Sequence, residues 1–589
     1  MTQQAAEEAG IVDDVVDGED SPLARHVTSM TDNVYCVTGL GGLVGAAMGR
    51  YSRSRYGLRE IIAREFVTAD GVLDRDRAAA LIDRVINQYG DESVAELESA
   101  HICFEEISNL ASKVIEDRRI GGSPIERSTR YVTYDKRGAD GHWRYVVPPE
   151  VKENALLLAQ YEETMDSLFA TYTRVCSGVL SQLETAHPPR DCAYALRSGA
   201  LPIKLADCST DAETKAFMRV HAETLRTRSC DIARGLLPTA TRTNVGINGN
   251  GRYFTGLLTA MSNSRLLELH ALSINARRAL DEVIPRYVKR AFMPGDEHVT
   301  NSGHLADRIS AWCSNWLLCV PGALAISDAY GPMDMGTAST VKLVDDLDPI
   351  TGERITLDAA LAAEIVFPFF PLAGVDPIAH MSLAALRALC MRVPHSALRE
   401  LFAIVRASRE TRRNKLPRGA ESGYPITVDF ITDWGAYRDL ERHRMMTQQR
   451  QLITPELGFS VYDGLEEYGG LVCLWATERA VSDSERLHGR LANAISLDVA
   501  QYAVLMGHRM RWYAGMNLRQ ATHLCELRSA PQGHPSYRVV AQQLYGEVCG
   551  RYPLASEMLR FVNMEDIAWA RAGSAAREAA REMTAVSGA

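Results

Sequence analysis

Along most of the chain, apolar residues recur every three or four positions, the spacing of helices that bury one face. Over 101–119, HICFEEISNLASKVIEDRR, Cys103, Ile107, Leu110 and Val114 share such a face and predict a helix. The same spacing predicts helices over 355–366, 378–392, 397–410 and 493–513. Runs rich in β-branched and aromatic residues are few: NVYCVT at 33–38, RYVTYD at 130–135, STVKLVD at 339–345 and PITVDFI at 425–431. The pattern is that of a helix-rich α+β protein.

The periodicity breaks most clearly over 327–338, SDAYGPMDMGTA, and a polar turn, DDLDPITGE, follows at 345–353. A boundary near 330 divides the chain into units at 30–330 and 331–575. An acidic tail at 1–29 precedes them and an Ala-rich tail at 576–589 follows. The glycine cluster GLGGLVG at 39–45 has the spacing GxGxxxG and lacks a following βαβ pattern, so it reads as a loop entering a helix.

Composition narrows the function classes. The chain has 589 residues, 46% hydrophobic and 23% charged, with a net charge of −10, which disfavours nucleic acid as the main partner. No apolar run reaches the ~20 residues of a membrane span, and the N-terminus has no secretory pattern; a cytoplasmic location is expected. The 12 cysteines are scattered without CxxC or paired Cys/His spacing, so no metal site is expected.

Two arginine clusters carry the candidate chemistry. In the first, Arg118-Arg119-Ile120 leads into Gly121-Gly122-Ser123-Pro124-Ile125-Glu126-Arg127 and then Ser128-Thr129-Arg130-Tyr131. Glycine, hydroxyl and arginine in one loop can cradle a phosphate, with Arg forking onto two oxygens, or can form a solvated turn. In the second, Arg438-Asp439-Leu440-Glu441-Arg442-His443-Arg444 ends an apparent helix and suits either an anion or solvent.

Together the segments resemble the flavin-dependent thymidylate synthases, whose motif is Arg-His-Arg, seven residues, Ser, then x-Arg-Tyr. Tyr89-Gly90-Asp91-Glu92-Ser93 stands where that family has a Gly-His-Glu-type turn, Ala233-Arg234-Gly235-Leu236-Leu237-Pro238 matches its Ala-Arg-x-x-Leu-Pro, and Asn250 matches its flavin-contacting asparagine. The second half resembles the family again: Arg442-His443-Arg444, Asn517 with Leu527-Arg528, and Gln532-Gly533-His534-Pro535. The resemblance implies a tandem duplication, two helix-rich domains each with a small antiparallel or mixed sheet.

The copies differ in what they keep. Ser128, Arg130 and Arg234 occur only in the first; by spacing, Leu452, Thr454 and Gln501 replace them in the second. Arg442, His443, Arg444 and Arg528 occur only in the second; Met261 stands at the place of Arg528 in the first. The resemblance therefore implies a composite site. Glu126, Ser128, Arg130, Arg234 and Arg528 would take the nucleotide, Ser128 and Arg528 being the catalytic pair. Arg442, His443, Arg444, Asn517 and His534 would take the flavin. It further implies FAD, NADPH and methylenetetrahydrofolate, a homodimer forming a pseudo-tetramer, and one-carbon transfer with reduction at C5 of a uracil nucleotide such as dUMP. Asp91 in place of the family histidine leaves open a different C5-modified pyrimidine nucleotide, and the broken motifs leave open a non-catalytic nucleotide binder.

Overall fold

The computed structural model describes most of residues 24–82 and 92–580; outside it lie 1–23, 31–36, 40–42, 52–53, 69–73, 83–91, 197–200, 330–338, 373–379, 410–415, 570–571, 577–578, 581–589 and scattered single positions. The boundary near 330, residues Tyr89, Gly90 and Asp91, and all of the strand expected at 33–38 but Val37 fall outside the described residues.

The two halves run through similar elements in the same order, but only the first has a long helix just ahead of its third strand. The first contains β1 (Ser99–Ser108), α1 (Asn109–Glu116), β2 (Gly122–Glu126), α2 (Ala155–Ala186), α3 (Asp211–Ala233), β3 (Arg242–Asn250), α4 (Gly251–Ser262) and α5 (Leu267–Val283). Between the halves lie α6 (Glu297–Trp312), β4 (Thr340–Leu343), α7 (Leu357–Val366), α8 (Leu383–Arg392) and α9 (His395–Ala407). The second contains β5 (Ile426–Asp433), α10 (Trp434–Leu440), β6 (Thr447–Arg450), α11 (Gly470–Ala494), β7 (Arg509–Met516), α12 (Leu518–Arg528) and α13 (Pro535–Arg551). The strand orders β1-β3-β2 and β4-β5-β7-β6 match, with β4 added at one edge, and all of these pairings are antiparallel.

Equivalent side chains cap equivalent helices, because the first N–H groups of a helix need acceptors. Ser108 accepts from Ala111 N ahead of α1, and Asp433 accepts from Ala436 N ahead of α10. Asn250 accepts from Tyr253 N at 2.8 Å ahead of α4, and Asn517 from Gln520 N at 3.0 Å ahead of α12.

An approximate two-fold relates the halves. Thr239 N donates to Val504 O and Met506 N to Leu237 O, each at 2.8 Å, around a Pro238–Leu505 bridge. Asn109 and Leu110 N donate to Thr241 and Thr239 O, as Trp434 and Gly435 N donate to His508 and Met506 O. One hydrophobic core accordingly draws on both halves, from Leu43 to Leu559. A second core lies among α6–α9 and reaches Tyr513 of β7. Every residue of β5 and β7 is buried, whereas β1 leaves His101, Cys103 and Glu105 exposed.

Three expectations are corrected. Residues 101–119 are a strand followed by a helix. Ile102 and Phe104 point inward at period two, and Cys103, counted on the helical face, points outward. Residues 493–513 hold the end of α11, short helical turns and the start of β7, whose burial on both faces erases alternation. The strand expected at 130–135 sits earlier, at β2, an edge strand where Pro124 is tolerated. The helices expected at 355–366 and 397–410 are present as α7 and α9, that at 378–392 begins at α8, and the strands at 339–345 and 425–431 are β4 and β5. No helix among the described residues is long and apolar enough to cross a membrane.

Candidate active site

The site is built where α3 of the first half meets α10 and α13 of the second. Its foundation is Glu126, buried at the end of β2. Lys113 Nζ donates to Glu126 Oε2 at 3.0 Å and Arg442 Nη2 at 2.9 Å; Ser112 Oγ donates to Oε1 at 2.9 Å, and Arg438 Nη2 lies 2.8 Å from it. Burial alone would raise this carboxyl's pKa, but Arg438, Lys113 and Arg442 outweigh it and hold the group well below the usual range. Lys113 also pairs with Glu116 and lies 3.8 Å from Glu441. Burial pushes Glu441 up to about 8 in spite of Lys113 and Arg450.

Above this layer sit the arginines. Arg130 forks onto Asp231, Nε to Oδ1 at 2.7 Å and Nη2 to Oδ2 at 2.9 Å, and its Nη1 donates to Gln532 O at 3.1 Å. Ser128 Oγ accepts from Arg130 N at 3.3 Å, the turn that aims Arg130. Arg234 is only 2% exposed, yet its Nε and Nη2 have no hydrogen-bond partner; its Nη1 lies 3.7 Å from Asp439. Tyr462 lies over Arg234 and donates to Asp433 Oδ1 at 2.6 Å. Asp439 is 24% exposed, and although burial acts to raise its pKa, Arg234, Arg528, Arg442 and Arg130 bring it below its ordinary value.

Arg528 ends α12. Its Nε donates to His443 Nε2 at 2.9 Å, and its guanidinium lies 5.6 Å from the Tyr537 ring centre. The second nitrogen of His443 faces the Gln520 amide at 3.1 Å. Burial, Arg528 and His523 hold this imidazole well below its ordinary pKa, so it is neutral and its Nε2 accepts from Arg528. His534 caps α13 through Ser536, and its Nε2 donates to Asp231 O at 3.1 Å; burial, Arg234 and Arg130 keep it neutral as well. Both histidines thus have their nitrogens engaged inside the protein. Asn517 stands exposed at the start of α12, one turn from Gln520.

The structure brings Glu126, Arg130, Arg234, Arg442, His443, Arg528 and His534 into one charged network. Arg444 acts at its margin, donating to Gly122 O at 2.8 Å and Ser123 Oγ at 3.2 Å on β2. Arg119 makes the mirror contact with Met446 O and Thr447 Oγ1 on β6. Ser123 pairs opposite Asn248 and Thr447 opposite Gly515, each two residues before the capping asparagine. Arg119 is therefore the mate of Arg444, and the first-half triplet is Asp117-Arg118-Arg119, one residue earlier than motif spacing places it. Sequence reasoning missed Asp231, Asp433, Asp439 and Lys113. Asp439 lay inside the second arginine segment, and Asp231 three residues before Arg234; Lys113 gave no signal, since buried charge pairs have no periodic signature.

The replaced positions are structural. Met261 is fully buried in the core. Gln501 Oε1 accepts from Ile453 N at 3.2 Å, and Thr454 Oγ1 is hydrogen-bonded to His380 Nε2 at 2.6 Å. Nearby His488 is buried, with Nε2 unpartnered, and burial with His508 and His380 lowers its pKa to about 4 against the pull of Glu456. Its neutral form is the one the fold accommodates, so stability is present above the unfolded pKa of about 6.5 and lost as pH falls toward 4. Urea midpoints at pH 7.5 and 4.5 should show wild type losing about 2–3 kcal/mol more than His488→Gln.

The fold and site together define an α+β protein of two similar halves with one arginine-rich cluster built between them. A family model described as "Thymidylate synthase complementing protein" matches residues 44–286 and 423–554. UPF0159 proteins of Chlamydia muridarum and Chlamydia pneumoniae are each 32% identical, covering 92% of this chain and 94% of the relative. A UPF0159 protein of Thermoplasma acidophilum is 27% identical, covering 91% of this chain and 98% of its own. The chain belongs to the thymidylate synthase complementing protein family.

Proposed function

We propose that the protein is a flavin-dependent enzyme that alkylates C5 of a uracil nucleotide, with one-carbon transfer and reduction, at this composite site. The observation that carries the reading is the meeting of arginines that survive in different halves: Arg130 and Arg234 from the first, Arg442 and Arg528 from the second, around Asp439. Independent decay of two copies gives no reason for the survivors to converge.

The donor set fits an anion and a flavin. Arg234 has two buried nitrogens without protein hydrogen-bond partners, where a ligand oxygen or a water would be accepted. Arg130, aimed by Asp231 and the Ser128 turn, would flank the same phosphate. Arg528, fixed by His443, would stabilise negative charge on the pyrimidine ring. Arg442, Arg444 and the exposed Asn517 are the groups that would hold FAD. When bound, the flavin supplies the reducing step, with NADPH as its electron source and methylenetetrahydrofolate as the one-carbon donor. The protein supplies orientation and charge. By family analogy two chains would associate as a pseudo-tetramer.

The first test is the visible spectrum of the purified protein, followed by anaerobic NADPH. A flavin spectrum that bleaches, together with release of tritium from C5-labelled dUMP or another uracil nucleotide, is the expected result. No flavin after incubation with excess FAD would sink the reading.

A further inference from the structure

Arg130 and Arg234 are held in different ways. Asp231 grips Arg130 through two hydrogen bonds. Arg234 has no such fork among the described residues: its Nε and Nη2 have no hydrogen-bond partner, and Asp439 stands 3.7 Å from its Nη1. A long side chain left to itself samples several rotamers, and a ligand that must order it loses affinity. What meets Arg234 instead is an aromatic face. Its guanidinium carbon lies 5.8 Å from the Tyr462 ring centre, within reach of cation–π attraction.

Tyr462 is itself fixed on several sides. Its hydroxyl donates to Asp433 Oδ1 at 2.6 Å, and its ring meets His534 edge to face, with ring centres 5.0 Å apart. Two glycines make room for it. A Cβ on Gly235 would lie 3.1 Å from the ring; one on Gly435 would lie 2.8 Å from the hydroxyl and 3.3 Å from Arg234 Nη2. Burial and Asp433 hold the phenol well above its ordinary pKa, so its proton stays in place to bind Asp433. The residue rides on a short loop bounded by Gly458 and Gly464, with φ of 76° and 92°, a region that favours glycine. Ser460 N ties the loop to Gly507 O at 2.8 Å, and Arg228 Nη2, from α3, donates to Asp463 O at 2.9 Å.

We propose that Tyr462, anchored by Asp433, is a positioning residue for Arg234. Its ring lays the guanidinium in one orientation, so that the free Nε and Nη2 meet an anionic ligand without a search, and Tyr462 does not itself touch the ligand. The inference rests on the nucleotide reading above for the ligand, and adds to that site a loop from the half opposite Arg234.

The test is a double-mutant cycle on affinity. dUMP and inorganic phosphate are titrated calorimetrically into wild type, Tyr462→Phe, Arg234→Ala and the double variant. Tyr462→Phe keeps the ring and loses the tether. It should weaken both ligands about fivefold to tenfold, and in turnover the change should fall on KM, with kcat within about twofold of wild type. In the Arg234→Ala background the same substitution should change affinity less than about twofold. Gly435→Ala, a favourable exchange within α10, would crowd the hydroxyl and should copy Tyr462→Phe; it decides the matter if Arg234→Ala no longer binds. Wild-type affinity in Tyr462→Phe overturns the inference. So does an equal loss in both backgrounds, which would make Tyr462 a ligand contact or a support of the fold. The dUMP series alone decides if phosphate does not bind. If phosphate follows the expected pattern and dUMP binds none of the proteins, the role of Tyr462 stands and the nucleotide reading falls. If neither ligand binds wild type, both fall.

Discussion

An Arg528→Ala protein is expected to lose about 10²–10³-fold in turnover of its uracil nucleotide while melting close to wild type. The guanidinium is held from two sides, by the Nε hydrogen bond to His443 and by the Tyr537 ring, yet no carboxylate neutralises it within ion-pair distance among the described residues. Such a preoriented, uncompensated cation stabilises charge that develops late in a reaction, and does little for the fold. Its place at the end of α12, half-buried, leaves only a small void on truncation. Arg528→Lys should rescue little, because an ammonium that keeps the contact with neutral His443 lacks the planar fork of parallel donors. Steady-state kinetics with a thermal melt checks this; full turnover in Arg528→Ala would remove the residue from the chemistry.

Glu126→Ala is expected to cost about 3–5 kcal/mol in stability, enough to consume much of the margin of an ordinary fold. The change strands Lys113, Arg438 and Arg442 around a void, and Lys113 is fully buried. Glu116 remains near Lys113 and Arg442, but Glu441, with its pKa raised to about 8, is protonated near neutrality and offers little compensation. Urea unfolding measures the loss. Glu126→Gln should lie between the two, keeping the hydrogen-bond shape without the charge. A loss under ~1 kcal/mol in Glu126→Ala would show that the buried cations find other partners or water. The sequence reading placed Glu126 with the nucleotide ligands; its four internal donors give it a supporting part beneath them.

Helix α9 was readable because its one buried face, Leu398, Leu401 and Val405, imposes its own spacing, whereas the longest helices, α2 and α11, were not predicted. The central strands were harder. Residues 509–516 form β7 because β5 and β6 flank it and both its faces are covered, a fact about neighbours distant in the chain. The same limit applied to the site. Arg130, Arg234, Arg442 and Arg528 stood out as residue types in a motif order, but Asp231, Asp433 and Asp439 acquire meaning only from what they face.

By itself the sequence determined the α+β class, the duplicated arginine motifs and their unequal survival, since these depend on residue identity and local spacing. The tertiary structure decided which arginines are neutralised and which remain available. It placed Asp231 against Arg130 and Glu126 against Arg442, and it left Arg234 and Arg528 around Asp439. Charge pairing acts through space over a few ångströms, and the residues it joins here are up to 316 positions apart along the chain.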